Sequence, residues 1–180
     1  MVVEPMPGTF RQGDWILLVD PGFTPPTPSS PPPDSAIVGG WQVEQNRGTG
    51  PFEPNPDYVP SSESTPTDPT DAVLCLIRDG AALGDELIRT LSDSVVEIAC
   101  DVQDNPIVDV APDGVACVLV ATAAVQKQGI DAPRWWPLVG RALPDVVQPG
   151  VDIFLNPHGR VPMRLVTSSL QYRTMAQEPC

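Results

Sequence analysis

Fifteen of the 24 prolines precede Thr70, and six of those lie between residues 23 and 33. Proline lacks an amide hydrogen and holds φ near one value, so dense proline excludes helix interiors and central strands. The proline-dense tracts of the first third are therefore not expected to form helices. Residues 23–33 predict an extended, polyproline-like loop with little secondary structure of its own. Prolines 51, 54, 56, 60 and 66 predict a second irregular tract lying across the domain surface. Ahead of the first stretch, residues 15–19 form an apolar run bounded by Asp14 and Asp20 and closed by Pro21-Gly22, which reads as a buried strand. A second strand fits residues 36–43, where Gly39 and Gly40 allow a bulge or a close backbone approach, and residues 46–50 read as a turn.

Order returns at Thr67. Asp68 suits an N-cap, Pro69 the first helical position, and Asp71 the third, where an anion complements the helix dipole. Val73, Leu76 and Ile77 recur at helical spacing up to Gly80, and Leu83, Leu87, Ile88 and Leu91 stripe a second helix. Val96, Ile98 and Cys100 then alternate as a strand, residues 107–110 form a short one, and residues 115–121, apolar on both faces, read as the central strand. A short helix is expected over residues 123–128 and a longer one over residues 134–143. Residues 151–155 and 160–166 make a hairpin around Asn156-Pro157-His158-Gly159, with Pro162 placing the return strand at an edge. A terminal helix over residues 168–176 closes the chain.

This order predicts an α+β fold: a mixed, largely antiparallel sheet with helices packed mainly on one face, plus a Pro-rich N-terminal extension. It divides into a two-strand, Pro-rich segment at 1–66 packed on the domain, a core at 67–176 and a tail at 177–180.

Charge narrows the function classes. The net charge is −13; residues 1–133 carry 20 acids and five bases, whereas residues 134–180 carry five arginines and three acids. Such a field repels phosphate backbones and anionic lipid, so nucleic-acid and membrane-surface binding are not expected. The first ten residues lack a basic region followed by an apolar stretch, and no apolar run approaches the roughly 20 residues that span a bilayer. A cytoplasmic protein without direct membrane insertion is expected. Cys75, Cys100, Cys117 and Cys180 have no metal-ligand spacing; with no export signal they read as reduced thiols, three of them in apolar segments.

The search for catalytic chemistry finds few candidates. There is no Gly-rich phosphate loop ending in Lys, no Gly-x-Ser-x-Gly elbow and no converging metal set, so no cofactor or metal is expected. His158 is the single histidine and sits in a Pro-Gly turn, either as an exposed turn residue or as the base of a hydrolase-like enzyme working with a carboxylate. Trp135 and Trp136 are adjacent, and on a helix they cannot face the same way, so one is a candidate partner anchor. Asn156 reads as turn chemistry or as part of a groove, and Tyr58 as a ring packed inward with its hydroxyl at the surface.

Several phrases occur together in a fixed order. Trp15 through Pro21 and Val38-Gly39-Gly40-Trp41 precede Pro54-Asn55-Pro56-Asp57-Tyr58-Val59-Pro60-Ser61 and Pro66-Thr67-Asp68-Pro69-Thr70-Asp71. Asp113-Gly114, Leu143-Pro144 and Phe154-Leu155-Asn156-Pro157-His158-Gly159 follow. This set, over about residues 14–170, resembles the actinobacterial type VII secretion system-associated proteins, which carry a domain similar to the SseB-type N-terminal domain. The resemblance implies an α+β domain linked to ESX-type export and brings no catalytic residue with it. This chain has Ala121-Thr122-Ala123 where the family carries a Thr-Ser pair.

The leading expectation is a non-enzymatic cytoplasmic accessory or binding protein whose partner is a type VII secretion component or substrate. Its candidate contact residues are Tyr58, Trp135, Trp136, Asn156 and His158. The alternatives are the hydrolase-like enzyme using His158 and an acidic decoy of a nucleic-acid-binding protein.

Overall fold

The apolar run after Asp14 does form a strand, and three more gather around it. The computed structural model describes residues 8–27, 30–44 and 48–170. In it, β1 (Thr9–Gln12), β2 (Trp15–Val19), β3 (Ile37–Glu44) and β4 (Gly48–Pro54) make an antiparallel meander in that order. The sequence reading expects two strands here; β1 and β4 escape it because neither carries a long apolar run. Proline still dictates the arrangement. β4 is an edge strand, and Gly50 and Pro51 fall where the register with β3 shifts between Trp41 and Val43, so the missing amide costs no ladder bond. Val38, Phe52 and Tyr58 form a small core beside this sheet, with Leu18 and Trp41 packed on it and the Trp41 and Phe52 rings edge to face at 4.9 Å.

Helix α1 (Pro69–Arg78) begins where the capping residues require. Val73, Leu74 and Cys75 are buried and Ile77 packs beside them, whereas Leu76 is 52% exposed; the apolar stripe runs one residue away from the expected one. In α2 (Gly84–Ser92), Leu87 and Leu91 are buried, with Leu83 and Ile88 against the same core.

The second sheet is mixed. Its strands β5 (Val95–Cys100), β6 (Val108–Val110), β7 (Ala116–Ala121), β8 (Arg134–Val139), β9 (Asp152–Leu155) and β10 (Met163–Leu165) follow the order β10-β9-β7-β5-β8, with β6 also on β7. β7 pairs β9 in parallel, all other pairs are antiparallel, and β7 is the central strand, as its apolar faces predict. The side chains of α1, α2, β5, β7, β9 and β10 share one core, which defines an α+β fold.

One helix is corrected. Residues 134–143 do not form it: Arg134–Val139 is strand β8, followed by a 3-10 turn at Gly140–Ala142 and the short α3 (Leu143–Val146). Aromatic and β-branched side chains favour the pleated surface, and Pro137 is accommodated because β8 is an edge. Residues 124–127 are a 3-10 turn. Residues 168–170 begin a helical turn, and the rest of the expected terminal helix, like Cys180, lies outside the described residues. Cys75, Cys100 and Cys117 are buried free thiols.

The loop after α2 stitches the two sheets together. Phe52 N–H donates to the Asp93 carbonyl at 2.8 Å, and Gly140 N–H donates to the Ser94 carbonyl at 2.8 Å. Glycine is required where β3 meets β4, since a Cβ on Gly39 would lie 2.3 Å from the Glu53 carbonyl oxygen. Gly39→Ala should lower unfolding free energy by about 1–3 kcal/mol in a denaturant titration, through overpacking against backbone that cannot yield.

Candidate functional site

Two buried acids organise the junction between the sheets. Asp20 ends β2, and its side chain reaches across the proline tract. It accepts from the Gly22 N–H at 2.6 Å, the Ser61 N–H and hydroxyl at 2.8 Å each, and the Tyr58 hydroxyl at 2.8 Å. Burial alone would raise the Asp20 pKa, but these donors outweigh it and hold the carboxyl below its ordinary value. The Tyr58 phenol is pushed upward by burial and by donating to that carboxylate. Tyr58 therefore departs from its expected placement: its ring packs inward, but its hydroxyl is buried as well, fastening residues 58–61 to the first sheet.

The second acid is Asp68. As N-cap of α1 it accepts from Thr70 N–H at 2.8 Å and Asp71 N–H at 3.0 Å through one oxygen. Its other oxygen accepts from the Thr67 hydroxyl at 2.9 Å and the Thr122 hydroxyl at 2.6 Å. Thr122 follows β7, and its N–H donates to Asn156 Oδ1 at 3.0 Å, while Asn156 Nδ2 donates to Thr122 Oγ1 at 2.9 Å. Gln126 Nε2 donates to Thr67 Oγ1 at 2.8 Å, and Thr67 N–H donates to Asp71 Oδ2 at 3.0 Å. Asp68 is only 3% exposed. Burial lifts its pKa to about 6, the Thr122 hydroxyl works against that rise, and the charge of neighbouring Asp71 adds to it.

Above these acids lies an apolar groove of about 940 Å³. Its floor includes Leu18, Val38 and Trp41 from the first sheet; Pro66, Pro69 and Ala72 come from the start of α1; Phe23, Pro25, Pro31 and Pro32 form the proline-rich wall. Asp20 and Asp68 are its only charged lining residues among those described. A volume near the upper end of the roughly 300–1,000 Å³ usual for binding pockets accommodates several side chains at once.

The remaining sequence candidates are placed elsewhere. Asn156 is fully buried with φ +47°, and it serves the polar junction rather than an open surface. His158 is exposed, lines a smaller cavity of about 440 Å³ with Asp71, Gln126 and Arg160, and makes no hydrogen bond or ion pair among the described residues. Trp135 is half-buried with the Lys127 ammonium 5.2 Å from its ring centroid, and Lys127 also pairs with Glu97. Trp136 is 46% exposed on the β8 edge. The five candidates thus differ in exposure: Tyr58 and Asn156 are buried, Trp135 is half-buried, and Trp136 and His158 are exposed. Among the described residues, no group of three or more His, Cys, Asp and Glu is arranged to hold a metal ion. No described helix is long and apolar enough to cross a membrane.

Sequence reasoning missed Phe23, Trp41 and Asp20 as groove residues. The available signal was local: an acid immediately before Pro-Gly at the end of a strand, where a side-chain turn forms. No family model, curated protein or solved structure matches the chain.

Two outcomes follow from the acids. The folded pKa of Asp68 lies above the ordinary 3.8, so folding takes up a proton between 3.8 and about 6. The stabilisation from that proton is complete below the unfolded value and is lost as pH rises through about 6. Asp68→Asn keeps a capping oxygen and removes this slope. Urea titrations should therefore find the variant gaining on the native chain by about 1–3 kcal/mol between pH 4 and 7.5. Tyr58→Phe strips one donor from a buried carboxylate and should cost about 1.5–3 kcal/mol at neutral pH, read from the same titration.

Proposed function

We propose that this chain is a non-enzymatic cytoplasmic accessory protein of type VII secretion that binds a protein partner in the apolar groove. The single observation that carries the binding role is the groove itself: apolar and aromatic side chains over two buried acids, walled by a proline-rich segment. The reading takes α1 and α2 to cover one face of the larger sheet and the proline-rich N-terminal segment to act as the receiving surface. Prolines hold their backbone in one region of φ before any partner arrives, so less conformational entropy is lost on binding. The association with secretion rests on the ordered phrases that resemble that family, several of which line or support the groove. Val38 and Trp41 belong to its floor, Tyr58 and Ser61 fasten Asp20 beneath it, and Pro66, Asp68 and Pro69 form its far wall.

The enzymatic alternative has weaker support. His158 has no carboxylate or hydroxyl within hydrogen-bond reach among the described residues, whereas an imidazole base needs both a nucleophile and an orienting group.

A tagged full-length chain, purified from its native host after mild cross-linking, should retain a secretion ATPase or a small helical-hairpin substrate. Phe23→Glu, which puts a charge into the groove wall, should reduce that recovery about tenfold while leaving the thermal unfolding curve in place. Pro31→Lys, at an exposed groove position, should act in the same direction. Undiminished recovery by both variants would remove the groove from the reading, and recovery of no secretion component would remove the secretion role.

A further inference from the structure

From the chemistry of the groove's rim, we infer that its occupant is an apolar polypeptide segment carrying lysine or arginine. This rests on the proposed protein-binding role and specifies the partner's chemistry.

The argument begins with what the proline-rich wall lacks. Pro25, Pro31 and Pro32 have no amide hydrogen, yet each keeps its carbonyl. The carbonyls of Pro25, Pro31 and Pro32, all groove-lining residues, accept no hydrogen bond from any described residue. The wall is therefore rich in hydrogen-bond acceptors and poor in donors. A ligand that lies along it and excludes water leaves those carbonyls unsatisfied unless it brings N–H groups of its own, and each orphaned group costs about 1–3 kcal/mol.

The charges point the same way. Asp20 and Asp68 line the groove, and no described lysine, arginine or histidine does. Residues 1–69 carry nine acids and two bases, a net charge of −7. The Asp20 carboxylate is stabilised by four neutral donors, which fix its negative charge in place without cancelling it. Inside a low-dielectric groove such fixed charge attracts cations and repels carboxylates. The floor, meanwhile, is Leu18, Val38, Trp41 and Ala72, which takes up apolar side chains.

An occupant that meets all three demands offers aliphatic or aromatic side chains to the floor, positive charge to the acids and N–H donors to the proline carbonyls. A polypeptide segment with Lys or Arg among apolar residues does so, because the backbone amides supply donors along the whole length of the wall. A single-chain cationic amphiphile meets the first two demands only.

The test uses the full chain and fluorescein-labelled peptides of one Ala/Leu sequence with Lys, Gln or Glu at matched positions, read by anisotropy. The Lys peptide should bind about tenfold tighter than the Gln peptide, with the Glu peptide weakest, and the spread should shrink as salt rises. Pro25→Lys combined with Pro31→Lys, both at exposed groove positions, should invert the order in favour of Glu. Equal binding of the three peptides, an order unmoved by the double variant, or no binding of the Lys peptide overturns the inference. So does full displacement of the Lys peptide by an alkylammonium amphiphile at equal concentration. None of these outcomes touches the capture of a host partner through Phe23, which tests the binding role separately.

Discussion

The carboxyl of Asp68 connects three parts of the chain that are distant in sequence. It caps α1, receives the Thr122 hydroxyl from the end of β7 and, through Thr122, holds Asn156 at the end of β9. β7 and β9 are the parallel pair of the larger sheet, so one buried acid sets where the helix begins relative to the strand ends it covers. Burying a carboxylate is costly unless donors surround it, and here four do. The cost is not fully offset: the pKa rises to about 6, and neither Asp71 Oδ1 nor Thr70 Oγ1 finds a partner among the described residues. Each of those two unpartnered atoms adds a desolvation cost to the junction. It is also where the chain turns from the proline tract into α1, and Asp68 lines the groove there.

Asp20 plays the complementary role on the other wall. Segments dense in proline cannot join a ladder, so their position has to be fixed by side chains. Tyr58 and Ser61 reach back about 40 residues to the Asp20 carboxylate, and Asn55 Nδ2 donates to the Asp34 and Ile37 carbonyls at 2.8 Å each. These bonds hold the second proline tract against the first sheet. The same residues that make the backbone unable to pair thus become a stiff wall once a few side chains fasten them.

How much of this was legible in the sequence depends on the range of the forces involved. The N-cap at Asp68, the first-turn Pro69, the tight turn at residues 156–159 and the central position of β7 follow from local chemistry and apolar patterning, and the structure has them. Leu76 was misjudged because Leu74 and Leu76 are equally apolar, and which one faces inward depends on the sheet beneath. Residues 134–139 were read as helix because two tryptophans and a proline give no clear period; pairing with β5 in register from Val95–Val139 to Cys100–Arg134 decides the matter, and that partner lies about 40 residues away. The site was harder still. Tyr58 and Asn156 stood out by residue type, but whether a polar side chain serves a surface or a buried network is settled by neighbours that no spacing rule reveals. Phe23 looked like loop filler, and only the approach of Trp41 and Pro69 makes it part of a wall.

The acidic balance of the chain acquires a more specific meaning in this light. A uniform surplus of surface acid keeps a protein soluble and says nothing about where a partner sits. Here two acids are buried beneath an apolar floor, and Pro25, Pro31 and Pro32 in the adjacent wall carry no amide hydrogen. Charges spread over the surface are screened within about 8–10 Å by salt, whereas these two acids line the groove itself. Selectivity then comes from two shortages, of positive charge and of donors, that act on the same occupant. Both Asp68 oxygens are already engaged by four protein donors, so this acid contributes a fixed polar group to the groove's edge. The proposed logic of the groove is recognition: its lining matches a donor-rich apolar chain before that chain arrives.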